Sequence, residues 1–376
     1  MTTGFFWDES CFWHGGGNFA GMLPVGGLVQ PGGGLPESPE TKRRLKNLIE
    51  VSGLAKELAM SGADPASRDD LLRVHPASYL DAFKALSDAQ GGDLGLRTPF
   101  GPGGFEIAAM SAGLAKAALL SVLKGQLSNA YALSRPPGHH CLPDWPNGFC
   151  LLSNIGIAIR AAQAEGLATR VAVLDWDVHH GNGTEAVFYE DPDVLTLSLH
   201  QERNYPLDTG DPEDRGKGEG LGANINVPLP PGTGHKGYLA AMERIALPAM
   251  RAHRPDVIVV ACGFDAGAND PLGRMLATAE TFRAMTAQVM DLAREVCDGR
   301  VVMVHEGGYS ETYVPFCGHA VLEEMSGSAI RAADPLAATL AARQPGPGFD
   351  TFVDDWLEDV VSRMEPGLGP SYVGTT

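Results

Sequence analysis

Two aspartates and two histidines lie close together in the segment 171–183, where they could hold a metal ion. The segment reads Val-Ala-Val-Leu-Asp-Trp-Asp-Val-His-His-Gly-Asn-Gly, so four apolar residues lead into polar side chains and a glycine-rich turn. The apolar residues predict a buried parallel strand. Beyond it, Asp175, Asp177 and His179 alternate, so they point to one side of an extended chain. Burying two carboxylates and an imidazole is costly without a partner, and a metal ion is the simplest partner.

Asp265 offers one more carboxylate at the end of another apolar run. With Asp177 and His179 it completes a set of two carboxylates and one imidazole. Three protein ligands that leave one position open are typical of a catalytic metal rather than a structural one. Such an ion would activate a water molecule and polarise a carbonyl group. Zinc is the expected ion, although iron(II) accepts the same ligands.

The adjacent His139 and His140 follow a different apolar run and could supply a general base and acid. A histidine in this role needs an orienting partner on its second nitrogen, for which Asp175 and Asn182 are candidates. Tyr309 follows two glycines, which let the backbone turn sharply, so its hydroxyl could stabilise an oxyanion. A solvated loop for the histidines and simple packing for the tyrosine are the alternative interpretations.

Apolar strands that alternate with helical patterns predict how these groups are positioned. Predicted strands cover 129–133, 170–175, 194–200, 257–262 and 301–304, and predicted helices begin at Ser38 and cover 76–90, 104–124, 153–165, 235–253 and 278–297. This alternation predicts an α/β protein with a mostly parallel central sheet flanked by helices on both faces. Ligands bind beyond the carboxyl ends of such strands, and four of the predicted strands end in the candidate groups.

The whole chain of 376 residues is expected to form a single domain, 1–376. Its core would span about 36–326, with a glycine-rich loop at 14–35 and a C-terminal helical tail at 350–364, where apolar residues recur at helical spacing. The loop and the tail are candidate contacts of a homo-oligomer, and the tail could also dock on the body of the protein.

Composition limits the partners and the location of the protein. A net charge of −18 argues against nucleic acid or an anionic membrane as a partner. The first residues carry neither a basic segment nor a long apolar run, so no signal peptide is expected. No uninterrupted apolar run reaches the roughly 18 residues of a membrane span. The six cysteines form no C-x-x-C pair and are expected to be reduced thiols of a cytoplasmic protein.

Seven short motifs between about 130 and 315 give the chain a resemblance to a known family. They are Arg-Pro-Pro-Gly-His-His at 135–140, Asn-Gly-Phe-Cys at 147–150, Asp-Trp-Asp-Val-His-His-Gly-Asn-Gly-Thr at 175–184, Ser-Leu-His at 198–200, Gly-Phe-Asp-Ala at 263–266, Asp-Pro-Leu-Gly at 270–273 and Glu-Gly-Gly-Tyr at 306–309. With these motifs the chain resembles the zinc-dependent histone deacetylases, which share their fold with arginases. Within that family it is most similar to bacterial histone deacetylase-like amidohydrolases and to class II enzymes, as Asn182 and Glu306 indicate.

The resemblance implies how the metal and the histidines are used. Zinc would be held by Asp177, His179 and Asp265. His140 would act as general base and then as general acid, and it would lean on Asn182. His139 would be its electrostatic partner and would pair with Asp175.

The resemblance also implies a substrate channel. Tyr309 would donate a hydrogen bond to the acetyl carbonyl, and the carbonyl group of Gly148 would accept one from the substrate amide. Phe149 and Tyr205, which lie in predicted loops and could also be core residues, would flank the acyl-lysine chain, with Leu272 at the rim. Tyr205 replaces the phenylalanine that is more usual in the family, so one wall of the channel carries a hydroxyl group.

Structural potassium is a further expectation from the resemblance. A first ion would lie near the zinc, with ligands from Asp175, Ser198 and the backbones of Asp177, His179 and Leu199. A second potassium loop would involve Phe188, Asp191 and Val194.

The implied activity is zinc-dependent removal of the acetyl group from acetyl-lysine-like amides, with release of acetate. An acetylpolyamine or another small acylamine is an alternative substrate, against which Leu272 argues because polyamine-selective relatives carry an acidic residue there. An arginase-like reaction needs a second metal and a second aspartate-rich motif, whereas 263–267 supplies one carboxylate. A non-catalytic acyl-lysine binding protein is an alternative of another class, which Tyr309 disfavours because weakly active relatives have histidine there.

Overall fold

A parallel sheet runs through the computed structural model, which describes residues 2–15, 19–24 and 34–364. The described strands are β1 (Thr3–Phe6), β2 (Phe19–Ala20), β3 (Leu23–Pro24), β4 (Ala59–Ser61), β5 (Gly92–Asp93), β6 (Pro99–Phe100), β7 (Asn129–Ala132), β8 (Val171–Asp175), β9 (Val194–Gln201), β10 (Asn224–Leu229), β11 (Val257–Cys262) and β12 (Val301–His305). Eight of them pair in the order β10-β9-β8-β11-β12-β7-β1-β4, and every neighbouring pair is parallel. The pairs β2–β3 and β5–β6 are antiparallel hairpins.

Helices cover both faces of this sheet, as the sequence predicts. The described helices are α1 (Pro39–Ser52), α2 (Arg68–Leu72), α3 (Ala77–Ala89), α4 (Gly104–Leu123), α5 (Asn154–Ala164), α6 (Asn182–Phe188), α7 (His235–Ala241), α8 (Leu247–His253), α9 (Ala279–Val296), α10 (Val314–Ser326), α11 (Ala337–Ala342) and α12 (Pro347–Met364). A π-helical turn, Met242–Ala246, joins α7 to α8. Helices α4 and α5 lie on one face, and α1, α9 and α10 lie on the other. The α/β class with a parallel central sheet is confirmed.

The continuous apolar sequence of the central strands reflects burial on both faces. Along β11, Val257, Val259 and Ala261 belong to the core under α4 and α5. The intervening residues Ile258, Val260 and Cys262 belong to the core on the opposite face. Since successive side chains of a strand point to opposite faces, an uninterrupted apolar strand requires a helix layer on each side.

Several described elements were not predicted from the sequence. They are three strands of the main sheet (β1, β4 and β10), the two short hairpins, and the helices α2, α6, α10 and α11. Strands β1 and β4 are too short to show a pattern above their surroundings. The edge strand β10 contains Pro228 and alternates apolar residues with Asn224 and Asn226. Proline is tolerated at a sheet edge because fewer backbone hydrogen bonds are needed there. Helix α10 begins only five residues after Tyr309, so no linker marks its start in the sequence.

Helix α4 is long and apolar enough to cross a bilayer, by length and composition alone, and it is the one described helix with this property. Over half of its apolar stretch is buried inside the structure, where Ala112, Leu114 and Leu119 pack in the core against α5 and the sheet. Length and composition do not distinguish a core helix from a membrane span, and this burial accounts for the apolar sequence.

The C-terminal helix α12 docks on the body of the same chain. Its apolar stripe is buried and consists of Val353, Leu357, Val360 and Met364. The indole Nε1 of Trp356 donates to the carbonyl oxygen of Pro228 on the edge strand β10, at 2.8 Å. The helix begins at Pro347, three residues before the predicted start of the tail. It therefore covers the end of the sheet on which β10 lies.

Much of the glycine-rich loop 14–35 lies outside the described residues, but its two flanks are tied to the core. The guanidinium group of Arg135 donates to the carbonyl oxygens of Cys11 and His14, at 2.9 and 3.0 Å. It also contacts the carboxylate of Glu37, at 3.0 Å, and Lys42 lies 3.3 Å from the same carboxylate oxygen. The three charged side chains are buried. Together they fix the chain on both sides of the loop beside the strand end that leads to the histidine pair.

We expect Glu37→Gln to lower the free energy of unfolding by about 3–5 kcal/mol, because it leaves two buried cations without a carboxylate. Urea unfolding at pH 7 measures this change. The matched control is Glu40→Gln, since Glu40 pairs with Arg43 and Arg44 while half-exposed at the start of α1. That change should stay within about 1 kcal/mol. Equal effects of the two substitutions would contradict the stabilising role of the buried cluster.

The same cluster predicts a pH dependence of stability. Burial alone would raise the pKa of Glu37, but the Arg135 and Lys42 cations outweigh it and lower this pKa to about 2. An unfolded glutamate titrates near about 4.3. The stabilisation is therefore complete above about pH 5 and is lost as the pH falls towards 2. The Glu37→Gln variant should lack this part of the acid sensitivity.

Candidate active site

Four adjacent strands bring the candidate groups to one end of the sheet. Strands β7, β8, β11 and β12 are neighbours in the sheet and run parallel. The loops that follow them carry His139 and His140, then Asp177 and His179, then Asp265, and finally Tyr309. Because the carboxyl ends of parallel strands share one edge, residues up to 170 positions apart in sequence meet there.

Two carboxylates and an imidazole converge in the centre of this edge. The Nδ1 atom of His179 lies 3.0 Å from Asp177 Oδ1 and 3.0 Å from Asp265 Oδ2. The potential ligand atoms of the three residues lie within 4.8 Å of one another, and all three residues are buried. Strand β8 ends at Asp175, so Asp177 and His179 lie in a bend, and backbone alternation does not aim them. The predicted alternation along an extended strand is therefore wrong for these two residues. The bend orients them instead, since the amide of His179 donates to Asp177 Oδ1 at 2.9 Å.

Backbone amides fix the two carboxylates. The amide of Val178 donates to Asp265 Oδ1 at 2.7 Å, and the amide of Gly307 donates to Asp177 Oδ2 at 2.8 Å. A Cβ atom on Gly307 would lie 2.2 Å from Asp265 Oδ2, so only glycine permits this close approach. Burial raises the pKa of Asp265 to about 7, and the nearby Asp177 carboxylate adds to the increase. Burial and the neighbouring Asp177 charge thus disfavour ionisation of Asp265, and a divalent cation would stabilise the ionised carboxylate.

The two histidines differ in their partners. His139 Nδ1 lies 2.9 Å from Asp175 Oδ2, and His140 Nδ1 lies 2.8 Å from Asn182 Oδ1. Their rings are neighbours, with centroids 4.0 Å apart. Because an amide oxygen only accepts, His140 carries its proton on Nδ1, which leaves the lone pair of Nε2 available.

The different surroundings separate the pKa values of the two histidines. Burial alone would lower the pKa of His139, but the Asp177 and Asp175 carboxylates raise it well above its usual range. Burial lowers the pKa of His140 well below its usual range, and the positive charges on His139 and His179 lower it further. The site thus favours a charged His139 beside a neutral His140, which is the form a general base requires.

Tyr309 lies across the site from the histidines. Its ring packs edge-to-face against Phe149, with centroids 5.8 Å apart, and its ring centroid is 6.4 Å from that of His179. The backbone amides of Tyr309 and Leu272 donate to the two oxygens of the Asp270 carboxylate, at 2.7 and 2.8 Å. Burial raises the pKa of Tyr309 well above its usual range, so the phenol keeps its proton and can donate it in a hydrogen bond.

A cavity of about 200 Å³ leads to these groups. Among the described residues its lining includes His140, His179, Tyr309, Gly148, Phe149, Tyr205 and Leu272. The Tyr205 ring stands edge-to-face to His140, with centroids 5.0 Å apart, and its hydroxyl donates to Asn147 Oδ1 at 3.0 Å. Gly148 has a φ of 55°, and a Cβ atom there would lie 2.3 Å from the His140 ring, so glycine is required. The predicted channel residues are therefore brought together.

The predicted potassium ligands occupy two places. Asp175 and Ser198 are opposite each other on the paired strands β8 and β9, and Leu199 follows Ser198. Phe188, Asp191 and Val194 lie between α6 and β9, where the amide of Asp191 donates to the carbonyl oxygen of Phe188 at 2.9 Å. The Asp191 carboxylate is held by Arg160 at 2.5 Å. A cation at this second place would therefore need backbone carbonyl oxygens rather than that carboxylate.

Sequence reasoning missed the residues that position the chemistry. The Glu306 carboxylate accepts from the amides of Gly138 and His139, at 2.7 and 3.1 Å, and so fixes the histidine pair. Asp270 does the same for Tyr309. Both residues lie in motifs of the predicted family, which is the signal that could have singled them out. Arg97, which also lines the cavity, lies in no such motif.

Comparison with known proteins identifies the family. The family model described as histone deacetylase domain matches residues 35–325. A histone deacetylase-like amidohydrolase of Pseudomonas aeruginosa is 57% identical over 371 residues, which cover 98% of this chain and 97% of that protein. A probable deacetylase of Archaeoglobus fulgidus is 37% identical and covers 79% of this chain and 84% of its own length.

A solved structure agrees with these matches. The crystal structure of the HDA15 HD domain superposes with a TM-score of 0.83 at 29% identity and covers 97% of this chain and 96% of that domain. The predicted family and fold are confirmed. The chain therefore belongs to the histone deacetylase family of amidohydrolases, whose members act on acetylated amides.

Proposed function

We propose that this protein is a zinc-dependent deacetylase that hydrolyses acetyl-lysine-like amides and releases acetate. The observation that carries the proposal is the convergence of Asp177, His179 and Asp265 within 4.8 Å, at the base of a cavity that the histidine pair and Tyr309 also line or approach. The family match to amidohydrolases supports the reaction class.

The donor set fits a divalent cation. Two buried carboxylates, each held by a backbone amide, and one imidazole nitrogen leave room for a fourth ligand, which is the pattern of a catalytic zinc site. Without a cation, burial and the neighbouring Asp177 carboxylate disfavour the charged form of Asp265. When bound, zinc would polarise the acyl carbonyl and acidify the attacking water.

His140 would remove the proton from the attacking water. Its Nε2 is unprotonated because Nδ1 donates to Asn182 and because its low pKa keeps the ring neutral. His139, charged and paired with Asp175, would then stabilise the anion that develops as the water adds to the carbonyl carbon. When the carbon–nitrogen bond breaks, His140 returns the proton to the leaving amine, so acetate and a free amine are the products.

Tyr309 and the channel would hold the substrate. The neutral phenol of Tyr309 would donate to the carbonyl oxygen as negative charge develops there. Phe149 and Tyr205 would flank the aliphatic chain, and the carbonyl of Gly148, which accepts only a weak bond from Cys150 Sγ at 3.4 Å, is free to accept from the substrate amide. Leu272 offers no acidic group at the rim, which argues against acetylpolyamines.

We also infer structural potassium and a cytoplasmic location. Asp175, Ser198 and Leu199 would hold one potassium ion, and the loop with Phe188, Asp191 and Val194 would hold another. All six cysteines are buried and free, which suits a reducing compartment. Light scattering of the purified protein tests the expected homo-oligomer.

Metal removal tests the proposed function directly. Purified protein loaded with one zinc per chain should deacetylate an acetyl-lysine peptide, and a chelator should reduce the rate to background. Adding zinc back should restore the rate, whereas iron(II) added under anaerobic conditions tests the alternative ion. Full activity in a sample whose measured metal content is below one-tenth of an ion per chain would overturn the proposal.

A further inference from the structure

Arg97 is held at the mouth of the catalytic cavity by an unusual backbone conformation. Its φ is 61°, a left-handed value that is uncommon for a residue with a side chain. The amide of Phe149 donates to the carbonyl oxygen of Arg97, and the amide of Gly148 donates to that of Leu96, both at 3.0 Å. The segment that carries the substrate wall therefore also fixes Arg97. Such conformations are concentrated at functional sites.

The guanidinium group of Arg97 lies over the Tyr205 ring, 5.4 Å from its centroid. This is within the distance at which a cation is attracted to an aromatic face. The ring is itself fixed, because the Tyr205 hydroxyl donates to Asn147 Oδ1 at 3.0 Å, and the side-chain Nδ2 of Asn147 donates to the carbonyl oxygen of His140 at 2.6 Å. The hydroxyl group that distinguishes this wall thus braces the ring on which Arg97 rests.

The donors of Arg97 are not engaged by the described part of the protein. Its side chain has no ion pair or hydrogen bond to a described residue. No carboxylate lines the cavity among the described residues, although the chain carries 46 acidic residues against 28 lysines and arginines. A planar guanidinium with free donors is suited to binding a carboxylate through two parallel hydrogen bonds.

We propose that Arg97 is a specificity-determining residue that selects acyl amides with a carboxylate on the amine side of the scissile bond. This inference rests on the proposed function. Tyr205 flanks the aliphatic chain of the substrate, so a cation above that ring meets the part of the amine that emerges from the channel. In acetyl-lysine this part is the α-carbon, whose free carboxylate Arg97 would bind. An aspartate or glutamate next to acetyl-lysine in a peptide presents the same group.

Matched substrates test the proposal. Nα,Nε-diacetyl-lysine with a free carboxylate is compared with its α-amide, and acetyl-lysine peptides with a neighbouring aspartate are compared with their asparagine counterparts. The zinc-loaded protein should show a kcat/KM about fivefold higher for each acid than for its neutral partner, through a lower KM. The lysine pair and the peptide pair separate the two sources of the carboxylate. The advantage should shrink in 1 M salt, where the screening length falls to about 3 Å.

Substitution of Arg97 then removes the preference. In Arg97→Gln the acid-to-amide ratio should fall to one or below, and Arg97→Lys should retain part of it because it keeps the charge but not the planar donors. The control is Arg251→Gln. Arg251 is an exposed residue of α8 that pairs with Glu295 of α9 and does not line the catalytic cavity among the described residues, so this variant should keep the wild-type ratio. A wild-type ratio of one for both pairs, or a ratio that Arg97→Gln leaves unchanged, overturns the proposal.

Failure of the proposed function would look different. In that case no acetyl substrate is hydrolysed by zinc-loaded protein. Calorimetric binding of the diacetyl-lysine acid and its amide would still test Arg97, because this contact forms before any bond breaks. Stronger binding of the acid that disappears in Arg97→Gln supports the inference, and equal binding of the two compounds overturns it.

Discussion

Asp177→Asn is expected to abolish zinc binding and to lower kcat/KM by roughly 10³-fold or more, the scale of losing the charge stabilisation that a catalytic metal provides. The Asp177 carboxylate is buried and lies 3.0 Å from His179 Nδ1, and its two oxygens accept from the amides of His179 and Gly307. An amide side chain removes one of the two negative charges in the set. It also presents an N–H group to one of two backbone donors, which forces the side chain away from its present position.

Asp175→Asn is the matched comparison, two residues away on the same strand end. Asp175 faces His139 Nδ1 at 2.9 Å rather than the converging ligand atoms. This variant should keep close to one zinc per chain, because Asp177, His179 and Asp265 are intact. Its kcat/KM should fall by about 10–100-fold, since an outer partner of a catalytic histidine is lost.

Zinc content by elemental analysis and kcat/KM in the same preparations distinguish the two variants. Loss of metal in Asp177→Asn with retention in Asp175→Asn is the expected pair of results. If Asp175→Asn loses zinc as completely as Asp177→Asn, the assignment of Asp177 to the metal and of Asp175 to His139 is wrong. If Asp177→Asn retains one zinc and full activity, the metal set itself is wrong.

The chemistry of the site could be read from the sequence because its residues follow apolar strands. A buried strand such as Val257–Cys262 is recognisable from composition, and a parallel sheet places everything that follows its strands at one edge. The positioning residues could not be found in this way. Glu306 acts through amides 168 residues away in sequence, and no local pattern records that contact. The position of Arg97 could not be predicted for the same reason, since it depends on how its loop folds back on Gly148 and Phe149.

The secondary structure likewise contains elements that the local sequence predicts and elements that depend on tertiary contacts. Helix α1 begins where Ser38 and Pro39 predict it, with the Ser38 hydroxyl accepting from the amide of Glu40 at 3.1 Å. The edge strand β10 was not predicted because its signal is tertiary. Its Asn224 and Asn226 amides donate to the Glu185 carboxylate, at 2.7 and 2.8 Å. Those contacts explain polar residues inside a buried strand, but they exist only once α6 has packed against the sheet.

Tyr309→Phe is expected to lower kcat by about 10²–10³-fold, the usual effect of removing one donor from an oxyanion site. The substitution deletes only the hydroxyl group. The edge-to-face contact with Phe149 and the backbone bond to Asp270 are kept, so the fold and the zinc content should not change. The control is Tyr189→Phe, since Tyr189 follows α6 and does not line the catalytic cavity among the described residues. Steady-state kinetics and elemental analysis of both variants provide the measurement.

This variant also separates an enzyme from an acyl-lysine binding protein. A transition-state donor lowers kcat when removed and leaves substrate affinity nearly intact, because it interacts more strongly with the developing oxyanion than with the ground-state carbonyl. Acetyl-lysine peptide should therefore bind zinc-loaded Tyr309→Phe with about the wild-type affinity while turnover is lost. A binding protein would show no turnover before the substitution and weaker binding after it. Loss of zinc together with loss of kcat in Tyr309→Phe would contradict the donor role, because the defect would then lie in the metal set and not in the hydroxyl group.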